Sequence, residues 1–246
     1  MKHRIRVLLL LTLAVFLLLT GISVLLWPAF RTVQYRQAGG RAVERFGAAA
    51  EGRRVPAETE GTEEETALPF AELREVCEEY NAELYSSGQR DLTEQTQLRA
   101  PFDLSGYGWE EEAFAVLSVP EAGIETAVYL GADSANLDRG AAVLGQTFLP
   151  LGGENTNCVI AGHRTWNGVI FFHPLRELEE GTTVYITNPW ETLAYTVREV
   201  TVIAPGDIDA VRIREGRDLL TLFTCTYPNT HRVLVICERS EEDRDP

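Results

Sequence analysis

Thr221-Leu222-Phe223-Thr224-Cys225-Thr226-Tyr227, followed at once by Pro228-Asn229-Thr230-His231-Arg232, is the stretch on which the reading of this sequence turns. Leu219 to Phe223 are mostly bulky apolar or β-branched, the composition of a buried strand. Tyr227-Pro228-Asn229 carries turn formers, so Cys225 falls at a strand end facing a loop. A thiol becomes a strong nucleophile where a base or a cation favours the thiolate. His163, in Ala161-Gly162-His163-Arg164, and Arg232 are the groups available for this. The candidate site is therefore Cys225 as nucleophile, His163 for proton transfer and Arg232 to stabilise an oxyanion or the substrate backbone. These residues are far apart in the chain and meet only through the fold. Thr224 reads either as a hydrogen-bonding neighbour of the thiol or as a strand residue filling space. His231 should face away from the thiol by strand alternation. His173, between Phe172 and Pro174, reads as a partly buried structural residue.

Around this stretch lie other short runs rich in Val, Ile, Leu, Tyr and Thr. They are Ala113 to Val119, Ile124 to Leu130, Cys158 to Ala161, Thr183 to Thr187, Thr192 to Ile203 and Arg232 to Cys237, separated by Gly, Pro, Asn or Asp. Such spacing predicts a mainly β domain, a closed or nearly closed barrel of about eight strands with short helices. Two helical interruptions are expected, over Ser134 to Leu144 and Phe171 to Leu178. Upstream, Phe70, Leu73, Val76, Cys77, Tyr80 and Leu84 recur at helical spacing and predict an amphipathic helix ended by Ser86-Ser87-Gly88. A loop follows from Gln89 to Trp109.

The segment Thr-Leu-x-Thr-Cys at 221–225, with Arg232 after it and His163 before it, resembles the sortase family. The longer match, Leu149-Pro150-Leu151-Gly152-Gly153-Glu154-Asn155-Thr156 leading into Val159-Ile160-Ala161-Gly162-His163-Arg164, looks most like the class C, pilus-assembling sortases. This resemblance spans roughly residues 113–239. It implies a sortase-like barrel and a membrane-anchored cysteine transpeptidase. Such an enzyme cleaves a Leu-Pro-x-Thr-Gly type motif through a thioester and passes the acyl group to an amine. In class C the amine is a pilin lysine; in housekeeping or class D-like enzymes it belongs to a cell-wall precursor. Class C members also carry a lid with an aromatic over the cysteine. Pro101 and Phe102 fall where that lid is expected, with Ala100 in place of its aspartate; an ordinary connector is the alternative reading.

The chain has 246 residues, of which 45 % are hydrophobic, enough for a real core. From Val7 to Phe30 no residue is charged, a run long enough to cross a bilayer core of ~30 Å. Lys2, Arg4 and Arg6 precede it, which favours a cytoplasmic amino terminus and an external catalytic domain at the cell membrane. A cleaved signal peptide is the alternative. The run exceeds the usual ~7–15-residue apolar region, and no small-x-small site follows it.

The expected organisation is a basic flank and anchor at 1–30 and a juxtamembrane segment with an acidic linker at 31–69. The amphipathic helix and lid-like loop occupy 70–112, the barrel 113–240 and a polar tail 241–246. The helix continuing from the anchor is expected to break at Gly39-Gly40, and Gly47 to Leu68 reads as a disordered tether or, alternatively, a solvated helix face. With 22 Lys and Arg against 37 Asp and Glu, a net charge of −15, nucleic acid is not an expected partner. No Cys-x-x-Cys or His-x-x-x-His spacing occurs, so neither metal nor cofactor is expected. Cys158 and Cys237 read as buried small hydrophobes. A non-enzymatic surface module, with Cys225 merely a core residue, is the reading furthest from the motifs.

Overall fold

A computed structural model describes residues 2–51, 69–166 and 169–240. Residues 52–68 of the expected linker and the polar tail at 241–246 lie outside the described residues.

The chain opens with α1 (Lys2–Glu51), whose stretch Leu9–Trp27 is 19 residues long with a mean hydropathy of 2.7, long and apolar enough to cross a membrane. The helix runs straight through Gly39-Gly40, where a break was expected, and continues to Glu51. Packing explains the continuity, because Ala42, Phe46 and Ala50 recur every fourth residue and are buried against the barrel. The Phe46 ring lies 5.5 Å from that of Trp109, and Arg45 Nε is 3.7 Å from a Glu111 carboxylate oxygen.

α2 (Ala71–Ser87) buries Leu73, Cys77, Asn81 and Leu84, close to the expected stripe, and ends at Gly88 with φ 65°. Asn81 fixes it to the barrel, its amide nitrogen donating to Leu149 O (3.2 Å) and its oxygen accepting from Leu149 N (2.8 Å).

The barrel strands are β1 (Ala115–Val119), β2 (Ile124–Leu130), β3 (Ala141–Val143), β4 (Thr156–Gly162), β7 (Thr183–Thr187), β8 (Thr192–Ile203), β9 (Asp218–Cys225) and β10 (Arg232–Arg239). A two-stranded hairpin, β5 (Thr165–Trp166) and β6 (Val169–Ile170), stands apart from the barrel. Eight strands close in the order β1-β2-β3-β4-β9-β10-β8-β7. The β2–β3 and β4–β9 pairs are parallel and the rest antiparallel, which makes the barrel mixed. Closure leaves the barrel itself without an edge strand to protect.

Two expected helices are shorter than the pattern implied. The first is α3 (Ser134–Arg139), capped by Asp133, which accepts from Asn136 N at 2.8 Å. The residues after it, Ala141 to Val143, form β3 instead, completing the parallel crossover from β2. The second is a 3-10 turn over His173–Glu177.

Side chains alternate between two apolar clusters. Leu220 and Leu222 of β9 join Cys158, Ile160, Val235 and Cys237 in the barrel interior. Leu219 and Phe223 join Val159, Ala161, Leu234 and Ile236 on the outer wall. That alternation decides which way the residues at the strand ends point.

Candidate active site

In the β9–β10 ladder Cys225 pairs directly with Arg232. Directly opposed residues lie on one face with Cβ atoms ~4.5–5.5 Å apart. Counting by twos from Phe223 and Leu234 puts that face on the outer wall. On the other side, Ala161 of β4 pairs with Phe223 in parallel register. β4 ends at Gly162, and His163 follows it directly at the same end of the barrel. The three residues named from sequence thus come from the ends of three adjacent strands.

Thr224 fastens this junction. It is 3 % exposed, and its hydroxyl donates to the carbonyl of Gly162 at 2.8 Å, tying the end of β9 to the residue before His163. Gly162 itself is pinned: a Cβ there would lie 2.7 Å from ring carbons of Phe172, whose backbone N donates to His163 O at 3.0 Å. The supporting role weighed for Thr224 is therefore a positional one.

The imidazole of His163 is partly exposed, with Nε2 3.6 Å from a carboxylate oxygen of Asp138 in the last turn of α3. Nothing in the local sequence marks Asp138. It reaches the site because α3 runs back along the barrel between β2 and β3. Arg232 is held by the turn before it, Nη1 donating to Asn229 Oδ1 at 3.0 Å and to His231 O at 3.1 Å. Thr226 N donates to His231 O at 3.0 Å, and His231 N to the Thr226 hydroxyl at 3.1 Å, closing the turn. His231 is exposed, its Nδ1 3.0 Å from the Thr230 hydroxyl.

All four cysteines are free, but only Cys225 is more than marginally accessible. Burial pushes the Cys77 thiol up to about 12, and raises Cys158 and Cys237 further still. Those three are small core residues, as expected for Cys158 and Cys237.

Cys225 opens on a cavity of about 300 Å³ lined by residues of β9, the β9–β10 turn and the 3-10 turn. His173, partly buried as expected, is among the residues lining it. Phe102 does not. Its ring stacks edge-on against Tyr80 (6.3 Å) and Tyr107 (5.7 Å). It lines a separate cavity with Ala100, Asn136 and Arg139. The aromatic expected over the thiol instead anchors the loop to α2. Pro101, half-buried beside it, is likewise absent from the lining of the thiol cavity.

A closed mixed barrel with a thiol, an imidazole and a guanidinium at the ends of three neighbouring strands defines a class of barrel proteins built around a strand-end cysteine. The chain belongs to the sortase family: the sortase domain model matches residues 117–240, half of the sequence. It is 28 % identical over 127 residues to sortase A of Streptococcus agalactiae serotype III, covering 50 % of this chain and 51 % of that protein. The chain thus spans about half the length of that curated relative. Among solved structures it resembles sortase C-1 of Actinomyces oris, with 32 % identity, a TM-score of 0.60 and coverage of 70 % of this chain and 97 % of that one. It also shares the fold of sortase C1 of the Group B Streptococcus pilus island 1, with a TM-score of 0.67, 24 % identity and coverage of 85 % and 95 %.

Proposed function

We propose that this protein is a membrane-anchored cysteine transpeptidase that cleaves a Leu-Pro-x-Thr-Gly type sorting motif and joins the new carboxyl end to a pilin lysine. The observation that carries the reading is the pairing of Cys225 with Arg232 across β9 and β10, next to β4, whose last residue precedes His163. The likeness to class C structures supports the pilin acceptor. The apolar stretch of α1 supplies the anchor.

In this mechanism the proton of the Cys225 thiol passes to His163, and the thiolate attacks the threonine carbonyl of the motif. The carbonyl oxygen becomes an oxyanion. The part of the Arg232 guanidinium fork not engaged by the turn donates to it, a contribution of ~3 kcal/mol for one such donor. Collapse breaks the C–N bond, and the leaving amine takes the proton from His163, so a thioester on Cys225 remains. An incoming lysine amine then attacks that carbonyl and gives a proton to His163. The thiolate leaves, and the proton returns to sulfur. Asp138 steadies the imidazole through both half-reactions.

A second reading, attachment of surface proteins to a cell-wall precursor amine, is favoured by the match to a protein named sortase A. The experiment that decides is incubation of the full chain, in detergent, with sorting peptides and candidate amines. A new amide bond to a lysine side chain supports the proposal. Bond formation with precursor-type amines alone would move the protein to the second reading, and intact peptide in every mixture would remove both.

A further inference from the structure

The cavity beside the thiol has two unlike walls. Thr224 and Val233, which line it, have the parity of the barrel interior, whereas Cys225 has the parity of the outer wall. The cavity therefore lies over the end of the barrel, where Phe172 and Leu175 close the interior, and not along the outer wall. Its remaining lining is polar: Arg164, His173, Arg176, Glu177 and Thr226, with the ring of Tyr227. In a chain whose net charge is −15, two guanidiniums and one carboxylate converge beside the thiol. Among the described residues none of Arg164, Arg176 and Glu177 takes part in an ion pair. The Arg164 guanidinium instead lies 6.0 Å from the ring centre of Tyr227, which is 85 % exposed.

We propose that this cavity is the entry site for the acceptor, and that Arg164 and Arg176 recognise a carboxylate carried next to the acceptor lysine. The inference rests on the transpeptidase reading and deepens it. The acyl segment of the donor stays bound through its thioester while the acceptor comes in, so the acceptor needs its own approach to the Cys225 carbonyl, and this cavity opens on Cys225 itself. The outer wall near Cys225 carries the half-buried Phe223, Ile203 and Ala210 packed over the buried Ala161, an apolar face matched to the leucine and proline of a sorting motif. The polar cavity is left for the second substrate.

A lone lysine ammonium would meet two guanidiniums there and be repelled. A segment that carries both an ammonium and a carboxylate fits both signs, the ammonium against Glu177 and the carboxylate in the arginine forks. The ammonium must lose its protons stepwise before and during attack. One passes to solvent to give the neutral amine, and the second goes to His163, as in the scheme above, as the C–N bond forms and the C–S bond breaks.

The test uses the full chain in detergent, loaded with a Leu-Pro-x-Thr-Gly peptide, and two acceptors. These are blocked tripeptides with lysine next to glutamate or next to glutamine, with hydrolysis followed in parallel. The glutamate acceptor is expected to have a kcat/KM roughly tenfold higher. That preference should disappear in the Arg164→Gln/Arg176→Gln double variant. Arg176→Gln alone should roughly halve it on a logarithmic scale, and Arg176 is exposed, so this variant is not a packing change. Equal rates for the two acceptors in the unmodified protein, or a preference that survives the double variant, would overturn the inference. Free diaminopimelate outrunning both tripeptides would overturn the lysine-segment acceptor in favour of a cell-wall type one. Absence of any thioester would instead refute the transpeptidase reading itself, and this inference with it.

Discussion

Thr224→Val removes the side-chain hydrogen bond that ties the end of β9 to the residue before His163. Valine keeps the shape of threonine in a position 3 % exposed, so no cavity forms, but the hydroxyl that donates to Gly162 O at 2.8 Å is gone. Leaving a buried carbonyl without that donor costs about 1–3 kcal/mol. For a domain of this size each kcal/mol lowers the melting temperature by about 2–4 °C, giving an expected fall of roughly 2–12 °C. The effect on turnover should be larger than stability alone implies. Gly162 precedes His163, and a reacting group displaced by ~1 Å can lose ~100-fold in rate.

Thr224→Ser is the companion variant. It keeps the donor and deletes one buried methyl, worth ~1 kcal/mol. Both variants should melt earlier than the unmodified protein, but only the valine variant should lose transpeptidation by about tenfold or more. Thermal melting followed by circular dichroism and kcat/KM on a sorting peptide give the two readouts. A valine variant that turns over like the unmodified protein, or a serine variant as slow as valine, would refute the idea that this bond aligns the site.

Gly162→Ala would press a methyl to within 2.7 Å of the Phe172 ring. Overpacking of about 1–3 kcal/mol is expected, together with a fall in kcat/KM, both visible in the same assays. Asp138→Asn removes the carboxylate 3.6 Å from His163 Nε2 and should lower kcat roughly threefold to tenfold with KM little changed, a split that steady-state kinetics resolves. Phe102→Ala should reduce stability by about 2 kcal/mol, because its ring packs on Tyr80 and Tyr107. It should leave the rate of Cys225 alkylation within about twofold of the unmodified protein; a large rise would restore the lid over the thiol.

Local pattern carried most of the barrel. β2, β7 and β8 begin and end where the β-branched runs do. The strand-end placement of Cys225 and Arg232 followed from a strand, a turn and a strand in immediate succession. β3 was hidden because Ala141 to Val143 is three residues long, and its apolar run continues a helical one without punctuation. Only pairing with β2 and β4 distinguishes it from helix. Gly39-Gly40 misled for the opposite reason: each glycine weakens a helix by ~1 kcal/mol, but burial of Ala42, Phe46 and Ala50 just beyond it outweighs that local preference.

The site divided in the same way. His163, Cys225 and Arg232 carry their own local signatures, a glycine beside a strand end or a turn before a strand. Asp138, His173 and Arg176 do not, since they arrive from a crossover helix and a 3-10 turn folded over the barrel end. Phe102 shows how a family pattern misplaces a side chain when neighbouring residues differ. Tyr80 and Tyr107 offer its ring an aromatic seat, and the loop takes it.

The central claim is that Cys225 alone forms the acyl-enzyme. Intact-mass and peptide-mapping mass spectrometry of the full chain mixed with a Leu-Pro-x-Thr-Gly peptide at pH 7.5 tests it directly. The account predicts one thioester adduct per chain, at Cys225, abolished in Cys225→Ala. A thiol raised to about 12, as burial raises Cys77, is ionised to only roughly one part in 30,000 at that pH, and Cys158 and Cys237 are raised further. An adduct on any of those three, or one that persists in Cys225→Ala, would contradict the account.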